Sequence, residues 1–180
     1  MSTERHRPRV SAFLALSLDG FIAGEGNDLA WLEPYSGDSQ EETGYGALMA
    51  SADLLLMGRN SYETVLGFPD WPYGDKPVTV LTHRPATPRA HVTFRQGALA
   101  QVLSELWQEG ARHIYLDGGE VVRQGLQAGL VDELTLFWVP VVLGKGVSLF
   151  GGEPLPERLV PLSTAVLASG LVRVIYRPAP

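Results

Sequence analysis

The sequence predicts an α/β fold: a mostly parallel β-sheet with helices on both faces and an antiparallel hairpin at its C-terminal end. Three observations support this prediction. Short apolar segments alternate with helical patterns along the first two-thirds of the chain of 180 residues. Several of these segments are continuously apolar, which is typical of strands covered on both faces of a parallel sheet. The C-terminal part is β-rich around Ser169 and Gly170, a pair that favours a hairpin turn.

Six apolar or β-rich segments before the hairpin are the predicted strands. In chain order they read VSAFLALSL, ADLLLMG, PVTVLTH, HVTFR, RHIYLDG and DELTLFWVPVVLG. Proline cannot donate a hydrogen bond to a strand ladder, so Pro140 predicts a bulge or a sheet edge in the last segment. The two strands of the hairpin are expected within LSTAVLASGLVRVIYRP.

Four segments are predicted to be helical. The clearest is ALAQVLSELWQEG, in which apolar residues recur at helical spacing and a glycine provides the stop. A second helix is expected over residues 39–50. A third begins in MGRNSYETV, where Asn60 as N-cap and Glu63 three residues later resemble a capping box. The fourth follows Gly118 and Gly119.

Composition and charge narrow the class of protein. The formal net charge of -6 argues against general nucleic-acid binding, because phosphate backbones need a basic face. The absence of cysteine excludes disulfides and thiol nucleophiles, and the four histidines show no ligand spacing, so no metal site is predicted. The segment MSTERHRPRV has no apolar signal core, and no apolar run approaches the roughly 18 residues of a membrane span. We therefore expect one cytoplasmic domain over residues 1–180 that does not contact membranes.

Glycines and cations follow three predicted strands. In LDGGEVV, Gly118 and Gly119 would let backbone N–H groups approach a phosphate at a helix N-terminus, or they form a tight turn that needs positive φ. In MGRNSYE, Arg59 would clamp a terminal phosphate, or it is an exposed arginine beside an ordinary helix cap. In VLTHRP, Thr82 and His83 stand at a third strand end. Ligands of parallel sheets bind at such ends, so these sequences together indicate a nucleotide site.

These motifs also resemble a known family. MGRNSYE, VLTHRP and LDGGEVV, in this order, resemble the dihydrofolate reductase fold. SLDGFIAG and VPVVLGKGVSLF resemble one branch of it, the reductase domain of the bacterial riboflavin-pathway deaminase–reductase and its stand-alone relatives. The resemblance extends from about Arg9 to Tyr176. It implies a dihydrofolate reductase-like fold with an eight-stranded sheet, NADPH as the cofactor and a small-molecule substrate.

The resemblance further implies which residues bind NADPH. The nicotinamide region would be lined by Ala15 and Ile22. The adenosine ribose and its 2′-phosphate would meet Gly58, Arg59, Asn60 and Ser61. The adenine side would be flanked by Leu81, Thr82 and His83. The pyrophosphate would be held by Gly118, Gly119, Glu120, Val121 and Val122.

Hydride transfer to a C=N or C=O group also needs a proton, and two carboxylates are candidates for the catalytic acid. Asp19, after the first strand, would relay a proton or fix its loop. Glu42 falls where dihydrofolate reductases keep their pterin-binding carboxylate, and it also fits a solvated first helical turn. Four aromatic residues would wall a substrate pocket or pack in the core. They are Trp31, Tyr35, Tyr45 and Trp71.

The resulting hypothesis is an NADPH-dependent reductase that transfers a hydride to a small heterocyclic (pterin- or pyrimidine-like) or carbonyl substrate. The alternative is a nucleotide-binding or assembly protein that retains the cofactor cleft without turnover. Phe13 stands where the riboflavin-pathway reductases usually carry a lysine, so a phosphorylated ribose would lose a contact. Relatives in this branch are often homodimers, and the apolar segment ELTLFWVPVV fits either such an interface or a core strand.

Overall fold

The computed structural model describes residues 6–156 and 158–180. Its strands are β1 (Arg9–Ser17), β2 (Phe21–Ala23), β3 (Leu54–Gly58), β4 (Val78–Leu81), β5 (Val92–Arg95), β6 (His113–Asp117), β7 (Glu133–Val139), β8 (Val147–Ser148), β9 (Leu159–Val166) and β10 (Val172–Pro178). Its α-helices are α1 (Gln40–Thr43), α2 (Tyr45–Ser51), α3 (Arg59–Leu66), α4 (Leu99–Gln108) and α5 (Gly119–Gln127). Two 3₁₀ helices cover Glu25–Asn27 and Ala30–Tyr35. Residues 1–5, half of the segment in which no signal core is predicted, lie outside the described residues.

Eight of these strands form one sheet in the order β5-β4-β3-β6-β1-β7-β10-β9. Every pair from β5 to β7 is parallel, whereas β10 runs antiparallel to both β7 and β9. The short strands β2 and β8 form a separate antiparallel pair. The predicted mostly parallel sheet with an antiparallel C-terminal hairpin is therefore confirmed. None of the helices in the described part of the chain has the length and apolar character needed to cross a membrane.

Helices cover both faces of the sheet, because the strands alternate their side chains between two cores. On one face, Leu103 of α4 and Val122 of α5 pack with Leu116 of β6, and all three side chains are fully buried. On the other face, Tyr62 of α3 packs with Met57 of β3. Each such burial contributes about 1.5–3 kcal/mol. The strand ends are thereby held in fixed positions at one edge of the sheet.

The helix predicted over residues 39–50 is interrupted. Gly44 has a φ of 82° and separates α1 from α2, because a left-handed residue ends a helix. Ser39 caps α1 and forms a capping box with Glu42, in which each side chain bonds the backbone of the other.

Two local predictions are wrong. The helix α3 begins at Arg59 with Gly58 as its N-cap, so Asn60 lies inside the first turn and forms no capping box. Glu63 instead pairs with Arg59 one turn earlier.

The strand β7 ends at Val139 and lies between β1 and β10, so Pro140 marks neither a bulge nor a sheet edge. It follows the strand because proline has no N–H with which to extend the ladder. Hence ELTLFWV is a core strand.

A carboxylate joins two neighbouring parallel strands at their amino ends. Asp53 Oδ2 accepts hydrogen bonds from the backbone N–H groups of Arg112 (2.7 Å) and His113 (2.9 Å). These bonds favour the ionised form and lower the pKa of Asp53. A lowered pKa in the folded state means that the carboxylate stabilises the fold above its unfolded-state pKa, and that this contribution disappears as pH falls through the folded value.

We expect Asp53→Asn to lower the free energy of unfolding at pH 7 by about 1 kcal/mol, a value reduced by the exposure of the group. The melting temperature should fall by about 2–4 °C. The difference in melting temperature between this variant and the unmodified protein should shrink as pH falls below about 4, the ordinary pKa of an aspartate. Thermal unfolding followed by circular dichroism measures this, with exposed Asp70→Asn as the matched control. A pH-independent difference would contradict the electrostatic explanation.

Candidate functional site

Two adjoining cavities lie at the carboxyl ends of β1, β3, β4 and β6. The inner cavity, of about 380 Å³, is lined among others by Phe13, Ala15, Tyr73, Asp117, Gly118 and Gly119. The outer cavity, of about 270 Å³, is lined among others by Arg59, Thr82, His83, Arg84, Gly97 and Gln124. Both cavities are lined by Asn60, Ser61 and Glu120. They therefore form one continuous groove.

The residues predicted to bind the cofactor lie along this groove, with one exception. The inner cavity is lined by Ala15, Ile22, Gly118 and Gly119. The outer cavity is lined by Gly58, Arg59, Leu81, Thr82, His83 and Val121. The exception is Val122, whose side chain is buried in the core and whose N–H donates to the carbonyl of Gly118. Val122 faces away because it is one helical residue past Val121.

The first turn of α5 packs against the first turn of α3 at the Gly118-Gly119 pair. Gly118 has a φ of 95°, and a Cβ at this position would overlap the hydroxyl of Ser61. A Cβ at Gly119 would overlap the terminal methyl of Ile22. Both glycines therefore allow a neighbouring side chain to lie close to the backbone of the α5 turn. The converging N-termini of α3 and α5 present backbone N–H groups and partial positive charge, which suits a pyrophosphate.

The outer cavity is lined by three basic residues, Arg59, His83 and Arg84. Arg59 donates from Nε to Glu63 Oε1 (2.6 Å) and from Nη1 to the carbonyl of Pro85 (2.8 Å). A guanidinium has five N–H donors, so three remain for a ligand. His83 and Arg84 are exposed beside it, and Thr82 fixes their turn by bonding the backbone of Arg84. This arrangement fits a terminal phosphate.

The inner cavity contains a half-buried acid that the sequence interpretation does not include. Asp117 is the last residue of β6, and its Oδ2 accepts a hydrogen bond from the hydroxyl of Tyr73 (2.7 Å). Burial raises the pKa of Asp117 despite this bond and a backbone N–H from Gly118. Burial and the charge of Asp117 also raise the pKa of Tyr45 to about 12. The available signal was a carboxylate that ends a buried strand next to two glycines.

The two acids predicted from the sequence lie outside both cavities. Asp19 accepts hydrogen bonds from Ser17 Oγ (2.6 Å) and from the N–H groups of Leu143 (3.1 Å) and Gly144 (2.7 Å). These bonds, led by that of Ser17, lower its pKa and match the loop-fixing alternative. Glu42 Oε2 accepts from the N–H of Ser39 (3.0 Å) in the capping box of α1.

The four aromatic residues considered for the substrate pocket pack in the cores instead. Trp31 and Tyr35 contact the third apolar cluster, around Phe137. Trp71 lies edge-on to the rings of Tyr62 and Tyr73. Tyr45 packs on Phe13, with ring centroids 5.6 Å apart. The apolar wall of the inner cavity is formed by other residues, which include Phe13, Leu32, Val65 and Phe68.

Comparison with known proteins identifies relatives of this arrangement. The family described as RibD C-terminal domain matches residues 8–173. The uncharacterized protein YwjB of Bacillus subtilis (strain 168) is 35% identical over 141 residues, which are 77% of this chain and 80% of YwjB.

Solved structures agree with this result. A protein from Shewanella sp. PV-4 that is assigned to riboflavin biosynthesis superposes with a TM-score of 0.87 at 33% identity, over 96% of this chain and 99% of that one. A diaminohydroxyphosphoribosylaminopyrimidine deaminase/5-amino-6-(5-phosphoribosylamino)uracil reductase from Thermotoga maritima superposes with a TM-score of 0.72 at 18% identity. This chain is covered to 96% and spans 57% of that bifunctional protein, a likeness that concerns the fold.

The two glycines of the α5 turn should differ in their tolerance of alanine. Gly118→Ala should destabilise the protein by at least about 1–2 kcal/mol, because alanine is strained at positive φ and meets Ser61. Gly119→Ala requires only that the terminal methyl of Ile22 moves. Adding Ile22→Val, which removes that methyl, should restore the melting temperature of Gly119→Ala but not that of Gly118→Ala. If Ile22→Val restored the melting temperature of both variants, the separate contacts of Gly118 with Ser61 and of Gly119 with Ile22 would be contradicted.

Proposed function

The chain belongs to the RibD C-terminal domain family, and from this premise we propose that it is an NADPH-dependent reductase acting on a small heterocyclic or carbonyl substrate. One observation carries the proposal. A single groove joins the glycine turn of α5 and the cations around Arg59 to a cavity that is lined by the carboxyl group of Asp117. Such a groove suits a dinucleotide at one end and the reacting group of a substrate at the other.

The described residues fit NADPH along its length. The N–H groups at Gly118, Gly119 and the α5 N-terminus would hold the pyrophosphate. The 2′-phosphate would lie in the outer cavity, within reach of Arg59, His83 and Arg84, and the nicotinamide ring beside Ala15 and Ile22. When bound, NADPH supplies the hydride.

Asp117 is the acid that this proposal places at the reacting group. Reduction of C=N or C=O leaves an electron pair on nitrogen or oxygen, which must receive a proton. Burial raises the pKa of Asp117, so its carboxyl group keeps its proton to a higher pH than an ordinary aspartate does, which favours a role as proton donor. Tyr73 would be a positioning residue, because its hydroxyl fixes one carboxyl oxygen. The apolar wall would exclude water from the reaction.

One observation favours a second candidate, a nucleotide-binding protein without turnover. Asp19 and Glu42 both lie outside the groove, so neither acid predicted from the sequence is available for proton transfer. Oxidation of NADPH in the presence of pterins, flavins and pyrimidinediones distinguishes the candidates. Binding of NADPH without oxidation across that panel would favour the second.

We expect Arg59→Ala to weaken NADPH binding by roughly 10- to 100-fold, the effect of losing one hydrogen bond between charged groups. Binding of NADH, which lacks the 2′-phosphate, should change much less. Titration calorimetry measures both constants, and Arg177→Ala, which removes an exposed arginine from β10, is the matched control. Equal losses of affinity for NADPH and NADH would show that Arg59 does not bind the 2′-phosphate.

Asp117→Asn should lower NADPH oxidation by roughly 100-fold or more, because an amide cannot donate a catalytic proton. Its NADPH affinity should be retained. Its melting temperature at pH 8 should not fall, because a carboxyl group whose pKa is raised in the folded state costs folding free energy above its unfolded-state pKa.

Tyr73→Phe gives a separate test through the pH profile. The rate should decline as pH rises through the raised pKa of Asp117. The Tyr73 hydrogen bond lowers that pKa, so its removal should shift the decline to higher pH. Tyr62→Phe is the control, because the Tyr62 hydroxyl donates to the carbonyl of Thr87, away from the cavity. A decline that does not move in Tyr73→Phe would contradict the role of Asp117.

A further inference from the structure

The inner cavity offers little charge with which to bind an anion. Among the lining residues that the structure describes, the charged side chains are Asp117, Glu120 and Arg123. The guanidinium of Arg123 is bonded through Nη2 to a carboxylate oxygen of Glu120 and through Nη1 to the carbonyl of Ser148 (3.1 Å). The one cation of this wall is therefore already paired with Glu120 on α5, and no second cation among the described lining residues stands beside it as Arg84 stands beside Arg59 in the outer cavity.

Much of the remaining wall is apolar, and its other polar residues, which include Asn27, Asn60, Ser61 and Thr64, carry no charge. Phe13 packs its ring against Tyr45 and Phe137, with centroids 5.6 and 4.7 Å apart, and presents no donor. Leu32 and Phe68 line the same cavity. A phosphate moved from water to this wall would lose part of its hydration without gaining an unpaired cation as a partner.

The volume of the inner cavity also favours a small substrate. The inner cavity holds about 380 Å³, near the lower end of ligand pockets, which span roughly 300–1,000 Å³. The nicotinamide ring proposed above would take part of this space. What remains suits one small ring system beside Asp117 and Tyr73.

We propose, resting on the function proposed above, that the substrate is a small uncharged heterocycle without a phosphate group, recognised through a polar edge that meets Asp117 and Tyr73. The apolar wall of Phe13, Leu32 and Phe68 contacts its faces. The groups of the groove that suit phosphate are the N–H groups of the α5 turn and the basic residues of the outer cavity, and in this proposal both serve the cofactor. A phosphorylated nucleotide substrate is therefore disfavoured.

The test compares compounds that differ only in a phosphate ester. The pairs are 5-amino-6-(ribosylamino)uracil with its 5′-phosphate, and 7,8-dihydroneopterin with its monophosphate. Calorimetry is performed on protein saturated with NADP⁺, so that the phosphorylated probes cannot enter the cofactor groove. In every pair that binds, the unphosphorylated member should bind at least 10-fold more tightly.

A second experiment adds a positive charge at the mouth of the inner cavity. Phe68 lines the inner cavity and is 44% exposed, so Phe68→Lys adds an ammonium group there without opening the core. This variant should reduce the preference for the unphosphorylated probe by about 10-fold. Leu18→Lys is the matched control, because Leu18 is 56% exposed and lies outside the groove, and its preference should equal that of the unmodified protein.

The outcomes separate this inference from the function on which it rests. Equal or tighter binding of a phosphorylated probe in either pair, or no binding of any probe, overturns the inference while NADP⁺ binding leaves the reductase proposal intact. Equal effects of Phe68→Lys and Leu18→Lys also overturn it. Failure to bind NADP⁺ overturns the reductase proposal itself.

Discussion

The close approach of two helix N-termini is the constraint on which the site depends. The first turns of α3 and α5 meet where Gly118 leaves no space for a Cβ beside Ser61. Because both helices begin directly after buried parallel strands, their meeting point is fixed by the core beneath them. The contact joins the inner and outer cavities into one groove. If the two helices were further apart, the cations around Arg59 and the carboxyl group of Asp117 would lie in separate depressions.

The sequence was informative where one local pattern decides the structure. Apolar runs such as that ending at Leu116 predicted the strands, and the glycines at 118 and 119 marked a turn that lines the groove. Residues predicted for the cofactor lie along that groove because they occupy strand ends, and the ends of parallel strands meet at one edge. Val122 departs from this rule, since helical geometry turns it toward the core.

Tertiary contacts decide the features that the sequence did not reveal. The sequence predicted one long helix over residues 39–50 and did not reveal the capping box at Ser39. The break at Gly44 was also missed, because this glycine ends α1 only when its backbone takes a left-handed conformation. Asp117 was missed for a related reason. Its chemistry depends on Tyr73, which is distant in sequence and reaches the carboxyl group only in the folded chain. A strand-ending aspartate alone does not distinguish a buried acid from an exposed turn residue.

The distribution of charge along the groove determines how a dinucleotide would lie in it. Arg59, His83 and Arg84 border the outer cavity, whereas the inner cavity is mainly apolar and contains a paired Arg123 and the carboxyl group of Asp117. Phosphate groups are therefore more stable at the outer end, and an uncharged ring is more stable at the inner end. The same gradient that would orient the cofactor also acts on any second ligand. A substrate that shares the inner cavity meets the apolar wall and Asp117 rather than the phosphate-binding end.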